Sequence, residues 1–215
     1  VGRRLAVADI HSEGHRLLQI LDMAHYKPES DRLFLLGDYM DRGADAASTI
    51  HLVMDLVDRG AKAVLGNHDA VMLAYLQGDA SRHAWMREWD RQVWMQQGGD
   101  KTMADFGGAI PDHVVNFLAG LPLYHEEPDC ILVHAGLRPG VPLSEQTPDD
   151  LLWIRGEFHE GYRGKRVVFG HTPTHLLHGS YEVWRGPDKI GIDTGAVWGG
   201  RLSLLDLDTH QTWWA

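Results

Sequence analysis

The chain has 215 residues, which suits one sizeable domain and leaves little room for a second. Hydrophobic residues make up 44% and charged ones 23%, so an ordinary globular core can form without disulfide staples. A formal net charge of −10 provides no basic surplus to displace counterions, which argues against a nucleic-acid partner.

The one cysteine, Cys130, excludes an internal disulfide and a cysteine zinc cage. It lies in the apolar run Cys130-Ile131-Leu132-Val133 and reads as a small buried thiol. No apolar stretch approaches membrane-spanning length and no secretory leader is visible. The chain begins at Val1 rather than methionine, which leaves room for an upstream piece. A soluble, cytoplasmic protein with no membrane partner is the expectation.

Short apolar runs alternate with longer helix-like stretches, which predicts an α/β or mixed architecture. Leu5 to Ala8 reads as a strand, followed by a helix from Glu13 to about His25. Leu33 to Leu36 is a second buried strand, and apolar spacing predicts a helix over 44–58. Ala63 to Leu65 is a third strand, with a helix expected from Ala70 to Leu76. Pro111 to Leu118 reads as a helix closed by Gly120 and Pro122. Strands come next at 131–133 and 167–169. Ile190-Gly191-Ile192 and Leu202 to Leu207 flank Trp198-Gly199-Gly200, the pattern of an antiparallel hairpin. One domain over 1–215 is expected, with a small helical cap at about 81–106. There Trp85 and Trp89 share a helix face near Trp94. Packing of these tryptophans onto the body is favoured over an aromatic substrate wall.

The informative residues stand directly after the strands. The first strand runs into Asp9-Ile10-His11, where residues two apart in extended chain point the same way. The second ends in Gly37-Asp38-Tyr39-Met40-Asp41-Arg42-Gly43 and the third in Gly66-Asn67-His68-Asp69. Later strands end in His134-Ala135-Gly136 and Gly170-His171-Thr172. Carboxyl ends of strands are where sites assemble in open α/β sheets. Flanking glycines let the backbone turn sharply beside a crowded site. A mixed set of Asp, Asn and His suits manganese, iron or zinc better than calcium.

In this order the residues resemble the metallophosphoesterase superfamily of calcineurin-like fold, and within it the phosphoprotein phosphatases, especially small bacterial ones. The most specific pieces are Gly37 to Gly43 and Leu151-Leu152-Trp153-Ile154-Arg155. The resemblance implies a two-sheet β-sandwich flanked by helices, with two divalent metal ions, most readily manganese, at one sheet edge. It implies that Asp9 and His11 bind the first ion, Asp38 bridges both, and Asn67, His134 and His171 complete the second. Ala8 and Ser12 stand where the family commonly has glycine, and Asp69 where many relatives have glutamate. Gly170-His171-Thr172-Pro173 lacks the second histidine of the cyclic-nucleotide branch.

Such a pair of ions holds the phosphate and activates a water as hydroxide for direct attack on phosphorus. His68 is the candidate general acid, with Asp41 keeping its imidazole oriented and charged. Arg42 and Arg155, with Asn67, are the candidates for gripping phosphate oxygens. The expected activity is a phosphomonoesterase acting on phosphoserine, phosphothreonine or phosphotyrosine in a phosphoprotein or on a small phosphorylated substrate. The alternatives are a symmetric diadenosine tetraphosphate hydrolase and, more remotely, a metal-bound scaffold without catalysis. His68→Asn is expected to slow hydrolysis of an ester with an unactivated leaving group by roughly 10²–10⁴-fold. Bound metal should stay near the wild-type level; a wild-type rate would remove the role given to His68.

Overall fold

The computed structural model describes residues 2–78 and 93–215. Among these, ten strands form two five-stranded sheets. The first sheet contains β1 (Arg4–Val7), β2 (Arg32–Leu35), β3 (Lys62–Ala63), β9 (Ser203–Asp206) and β10 (Thr212–Trp214), in the order β10-β9-β1-β2-β3. The second contains β4 (Tyr124–Glu126), β5 (Cys130–Val133), β6 (Arg166–Phe169), β7 (Trp184–Gly186) and β8 (Lys189–Gly191), in the order β4-β5-β6-β8-β7. In the first sheet parallel β1, β2 and β3 are extended on the β1 side by antiparallel β9 and then β10; in the second, parallel β5, β6 and β8 lie between antiparallel β4 and β7.

Period-two alternation divides each strand between two cores. Ala6, Ala8, Phe34, Leu36, Cys130, Leu132, Val168 and Ile190 form an apolar layer shared by both sheets. Their neighbours Leu5, Val7, Leu33 and Leu35 turn to the opposite face, packing with Leu17 and Ile20 of helix α1 (Gly14–Met23) and Ile50 and Val53 of α2 (Ala46–Asp58). Ile131, Val133, Val167 and Phe169 do the same on the second sheet, against Leu151 and Phe158. The architecture is therefore the expected two-sheet sandwich with helices outside. Cys130 is buried in the shared layer, where burial, with Asp129 nearby, pushes its thiol up to about 11. Among the described residues no helix is long and apolar enough to cross a membrane.

Two expectations need correction. The hairpin across Trp198-Gly199-Gly200 does not form. Ile190 lies in β8 of the second sheet and Ser203–Asp206 in β9 of the first, and an isolated bridge, Gly195 to Arg201, links the segment ends in place of a ladder. The apolar alternation of 202–207 is satisfied by β1 and β10 instead. Helix α3 spans Asn67–Gln77, three residues earlier than expected, so Asn67 and His68 occupy its first turn. There the backbone N–H groups have no partner within the helix, and His68 N donates to Asp38 Oδ1 at 2.9 Å. Of the expected cap, Trp85 and Trp89 lie outside the described residues. Trp94 is 1% exposed and packs on Tyr75, so the packing reading holds for it.

His159 stacks on Phe169 with ring centroids 5.4 Å apart, and its buried Nε2 has no partner. Burial, helped by Arg155 and Lys189, lowers its pKa from 6.5 to about 4. As pH falls below 6.5 the unfolded chain takes up this proton first, so the stability contributed by the neutral ring is lost progressively towards pH 4. His159→Phe is expected to flatten the fall in urea midpoint across that window. Parallel pH profiles for wild type and variant would show that the ring does not titrate this way.

Candidate metal centre and active site

The strand ends of both sheets meet at one place. Asp9 and His11 follow β1, Asp38, Asp41 and Arg42 follow β2, and Asn67 and His68 follow β3. His134 follows β5 and His171 follows β6 of the other sheet. The centre therefore spans the carboxyl ends of both sheets rather than the edge of one.

The local backbone is unusual. Asp9, His11, Ser12, Asp38, Asp41, Arg42 and His171 all have positive φ, between 45° and 69°. Each such non-glycine residue costs on the order of 1–3 kcal/mol and persists only where its surroundings hold it. Ser12, at φ 62°, occupies a conformation that glycine takes freely. The flanking glycines serve close approach. A Cβ at Gly66 would come within 2.2 Å of Asp38 Oδ1, and one at Gly170 within 2.0 Å of Asp9 Oδ2.

Asp38 sits at the middle. Its carboxylate lies 3.5 Å from His11 Nε2 on one side and 3.5 Å from His134 Nε2 on the other. Two groups of side chains have ligand atoms within 4.8 Å of one another: His11, Asp38 and His68, and Asp9, Asp38 and His134. Asp38 belongs to both. Asn67 Oδ1 joins the second sheet's imidazoles, 2.8 Å from His134 Nε2 and 2.9 Å from His171 Nδ1. Asp9 accepts the His171 backbone N–H on both oxygens.

The protonation states decide what this cluster can hold. Burial lowers the pKa of His11 to about 3 and also lowers those of His134 and His171, so all three rings are neutral. The His11 proton is placed on Nδ1, which donates to Met40 O at 2.9 Å, and the His134 proton on Nδ1, which donates to Leu36 O at 2.8 Å. Their Nε2 lone pairs therefore point into the cluster, and that of His134 meets the Asn67 oxygen. A cation between them would resolve that contact. Burial, with the charges of Asp193 and Asp38, raises the Asp9 pKa. Burial would raise Asp38 too, but nearby positive charge, that of Arg42 included, outweighs it and lowers its pKa. Neutral imidazole lone pairs, an amide oxygen and buried carboxylates form a donor set that fits divalent ions.

The second part of the site surrounds Asp41. Its Oδ2 accepts from His68 Nδ1 at 2.7 Å and from Trp94 Nε1 at 2.9 Å, and its Oδ1 accepts from Thr102 Oγ1 at 2.7 Å. The His68–Asp41 pairing is as expected; Trp94 and Thr102 as its supports were not. Asp69 is buried and accepts from the backbone N–H groups of Asp38, Tyr39 and Gly66, so it holds the second motif in place. Arg42 turns its Nη1 to His11 Nε2 at 2.8 Å and its guanidinium carbon to the Trp198 ring, 5.0 Å from the centroid. Arg155 donates to Thr172 Oγ1 at 3.2 Å and lies within the field of Asp9, Asp193 and Asp38. Asp193 was missed. It is 5% exposed, follows β8 as the other site residues follow their strands, and burial and Asp38 push its pKa up to about 7. The strand-end rule would have found it had 190–192 not been read as a hairpin arm.

A model of the calcineurin-like phosphoesterases matches residues 2–192. This chain belongs to that family. A symmetrical bis(5'-nucleosyl)-tetraphosphatase of Nitrosomonas europaea is 28% identical over 197 residues, covering 89% of this phosphoesterase and 65% of the relative. The chain thus spans slightly less than two thirds of that protein's length. An asymmetrical bis(5'-nucleosyl)-tetraphosphatase, PrpE, of Halalkalibacterium halodurans is 25% identical, with 93% and 87% of the two chains covered. A solved structure provisionally described as a diadenosine tetraphosphatase superposes with TM-score 0.76 at 27% identity, covering 100% of this chain and 93% of that one. These relatives overturn the expected protein phosphatase and its monoester chemistry: what they share with this chain is the metallophosphoesterase hydrolase, and their names describe tetraphosphatases.

Gly170→Ala is expected to push the Asp9 carboxylate out of place, because the added methyl falls on its Oδ2. Manganese retained after gel filtration, measured by mass spectrometry, should fall below wild type. Gly120→Ala, where a methyl meets nothing within 4 Å, should retain the wild-type amount. Equal retention in both variants would show that Asp9 is not needed to hold the ion.

Proposed function

We propose that this phosphoesterase hydrolyses bis(5'-nucleosyl) tetraphosphates, cutting symmetrically to give two nucleoside diphosphates. The observation that carries the reading is the sharing of Asp38 between two ligand groups at the junction of the sheets, in a chain whose relatives carry tetraphosphatase names. Asp9, His11 and Asp38 would hold one divalent ion, and Asp38, Asn67, His134 and His171 the other. Bound there, such ions supply Lewis-acid stabilisation of phosphoryl charge and a water of lowered pKa.

The chain's own groups do the rest. Arg42 is within reach of the cluster and, with Arg155, offers planar donors to phosphate oxygens. His68 holds one proton on Nδ1 against Asp41, which leaves Nε2 to carry a proton towards the departing oxygen. A departing nucleotide phosphate has a second pKa near 6, far below that of an alkoxide, and needs little protonation. The loss on His68→Asn should therefore be smaller for a tetraphosphate than for an alkyl ester.

With manganese, iron or zinc supplied, the wild-type protein is expected to convert diadenosine tetraphosphate to ADP alone, and chelation should abolish turnover. Ion-exchange separation of the products checks this. ATP together with AMP would replace the symmetric cut with the asymmetric one, and no nucleotide release with any of the three metals would overturn the reading.

A further inference from the structure

Beside the metal centre, a cleft of about 560 Å³ runs between Arg42, the Gln96–Lys101 segment and Trp198. Its volume falls in the range of small-ligand sites. Trp198 is 50% exposed, although a buried indole would contribute far more to folding. Its loop is held firmly. Trp198 N and Gly200 N both donate to Gly195 O at 2.9 Å, and the Tyr181 hydroxyl donates to Trp198 O at 2.9 Å. A Cβ at Gly195 or Gly200 would strike the Tyr181 ring at 2.7 or 2.5 Å, so this loop lies directly on that ring. The indole is thus a flat surface on a fixed support, partly open to solvent.

Arg42 joins the cleft to the cluster. One end of its guanidinium meets His11 Nε2, and the group lies 5.0 Å from the Trp198 ring centroid. Lys101 Nζ donates to Arg42 O at 2.9 Å, fixing the backbone beneath. A ligand whose phosphate is gripped by Arg42 has its other end beside Trp198. Gln96, Gln97 and Asp100 line the cleft wall and offer both donors and acceptors to a planar heterocycle.

We propose that this cleft is a nucleoside subsite in which Trp198 stacks on a nucleobase of the substrate while Arg42 holds the adjoining phosphate. The proposal rests on the tetraphosphatase reading and makes Trp198 a specificity residue for base-bearing phosphates. Base–aromatic stacking tolerates any base because each presents a π-face, so discrimination falls between nucleotides and base-free phosphates.

The test compares ADP with inorganic pyrophosphate by calorimetric titration of the manganese-loaded full chain. Wild type should prefer ADP. Trp198→Leu, which keeps apolar bulk without an aromatic face, should lower that preference roughly 10-fold. Trp198→Phe should keep most of it. No preference in wild type, or an unchanged one in the Leu variant, would overturn the subsite. The parent reading fails differently: a Trp198-dependent ADP preference without turnover of diadenosine tetraphosphate sinks the tetraphosphatase and leaves the subsite. Turnover with a Trp198-independent preference does the reverse.

Discussion

The whole site depends on carboxyl groups brought together out of water. Asp9, Asp38, Asp69 and Asp193 are each at most 5% exposed, and each lies within the field of at least one other or of the cations around it. Carboxylates in such a place are costly unless hydrogen-bonded or paired with cations. The fold meets part of that cost with backbone N–H groups: His171 N for Asp9, His68 N for Asp38, Gly195 N for Asp193 and three amides for Asp69. Aiming those amides inward goes together with the left-handed conformations at the strand ends. The remaining demand for positive charge is the chemical property that the site puts to use.

Asp41 is treated differently from the other carboxylates. Three side-chain donors, from His68, Trp94 and Thr102, share its two oxygens. That leaves it acting on one imidazole rather than on the cluster. The arrangement separates the His68–Asp41 pair from the cluster around Asp38, although Asp38 and Asp41 both follow β2. It also explains why the segment after residue 93 matters to the centre: Trp94 and Thr102 reach Asp41 across a long sequence gap.

Reaction centre and specificity come from different parts of the fold. The strand-end residues define a phosphoesterase in any branch of the family, whereas the loops above them choose the substrate. For that reason the motif residues are compatible with a protein phosphatase and a tetraphosphatase alike, and the protein-phosphatase expectation drawn from them is overturned by the relatives rather than by the motifs. The cleft shared by Arg42 and Trp198 depends on the approach of the β8–β9 connection to the segment after Trp94, which no local pattern encodes.

Local sequence is sufficient for β1, β2, β3, β5 and β6, for the residue types that follow them and for their order, because each motif is a local event: an apolar run, then Asp, Asn or His, with glycine beside it. It is also sufficient for the burial of the Cys130 thiol, since the residue sits within an apolar strand. Long-range packing is needed to part 190–192 and 202–207 into different sheets, since each finds better partners in non-local strands than in the other. The same packing brings Asn67 to His134 and His171, sets Trp94 and Thr102 against Asp41, and adds Asp193 to the centre. Those are contacts between distant stretches of chain, fixed by how two sheets pack face to face, and periodicity carries no information about that packing.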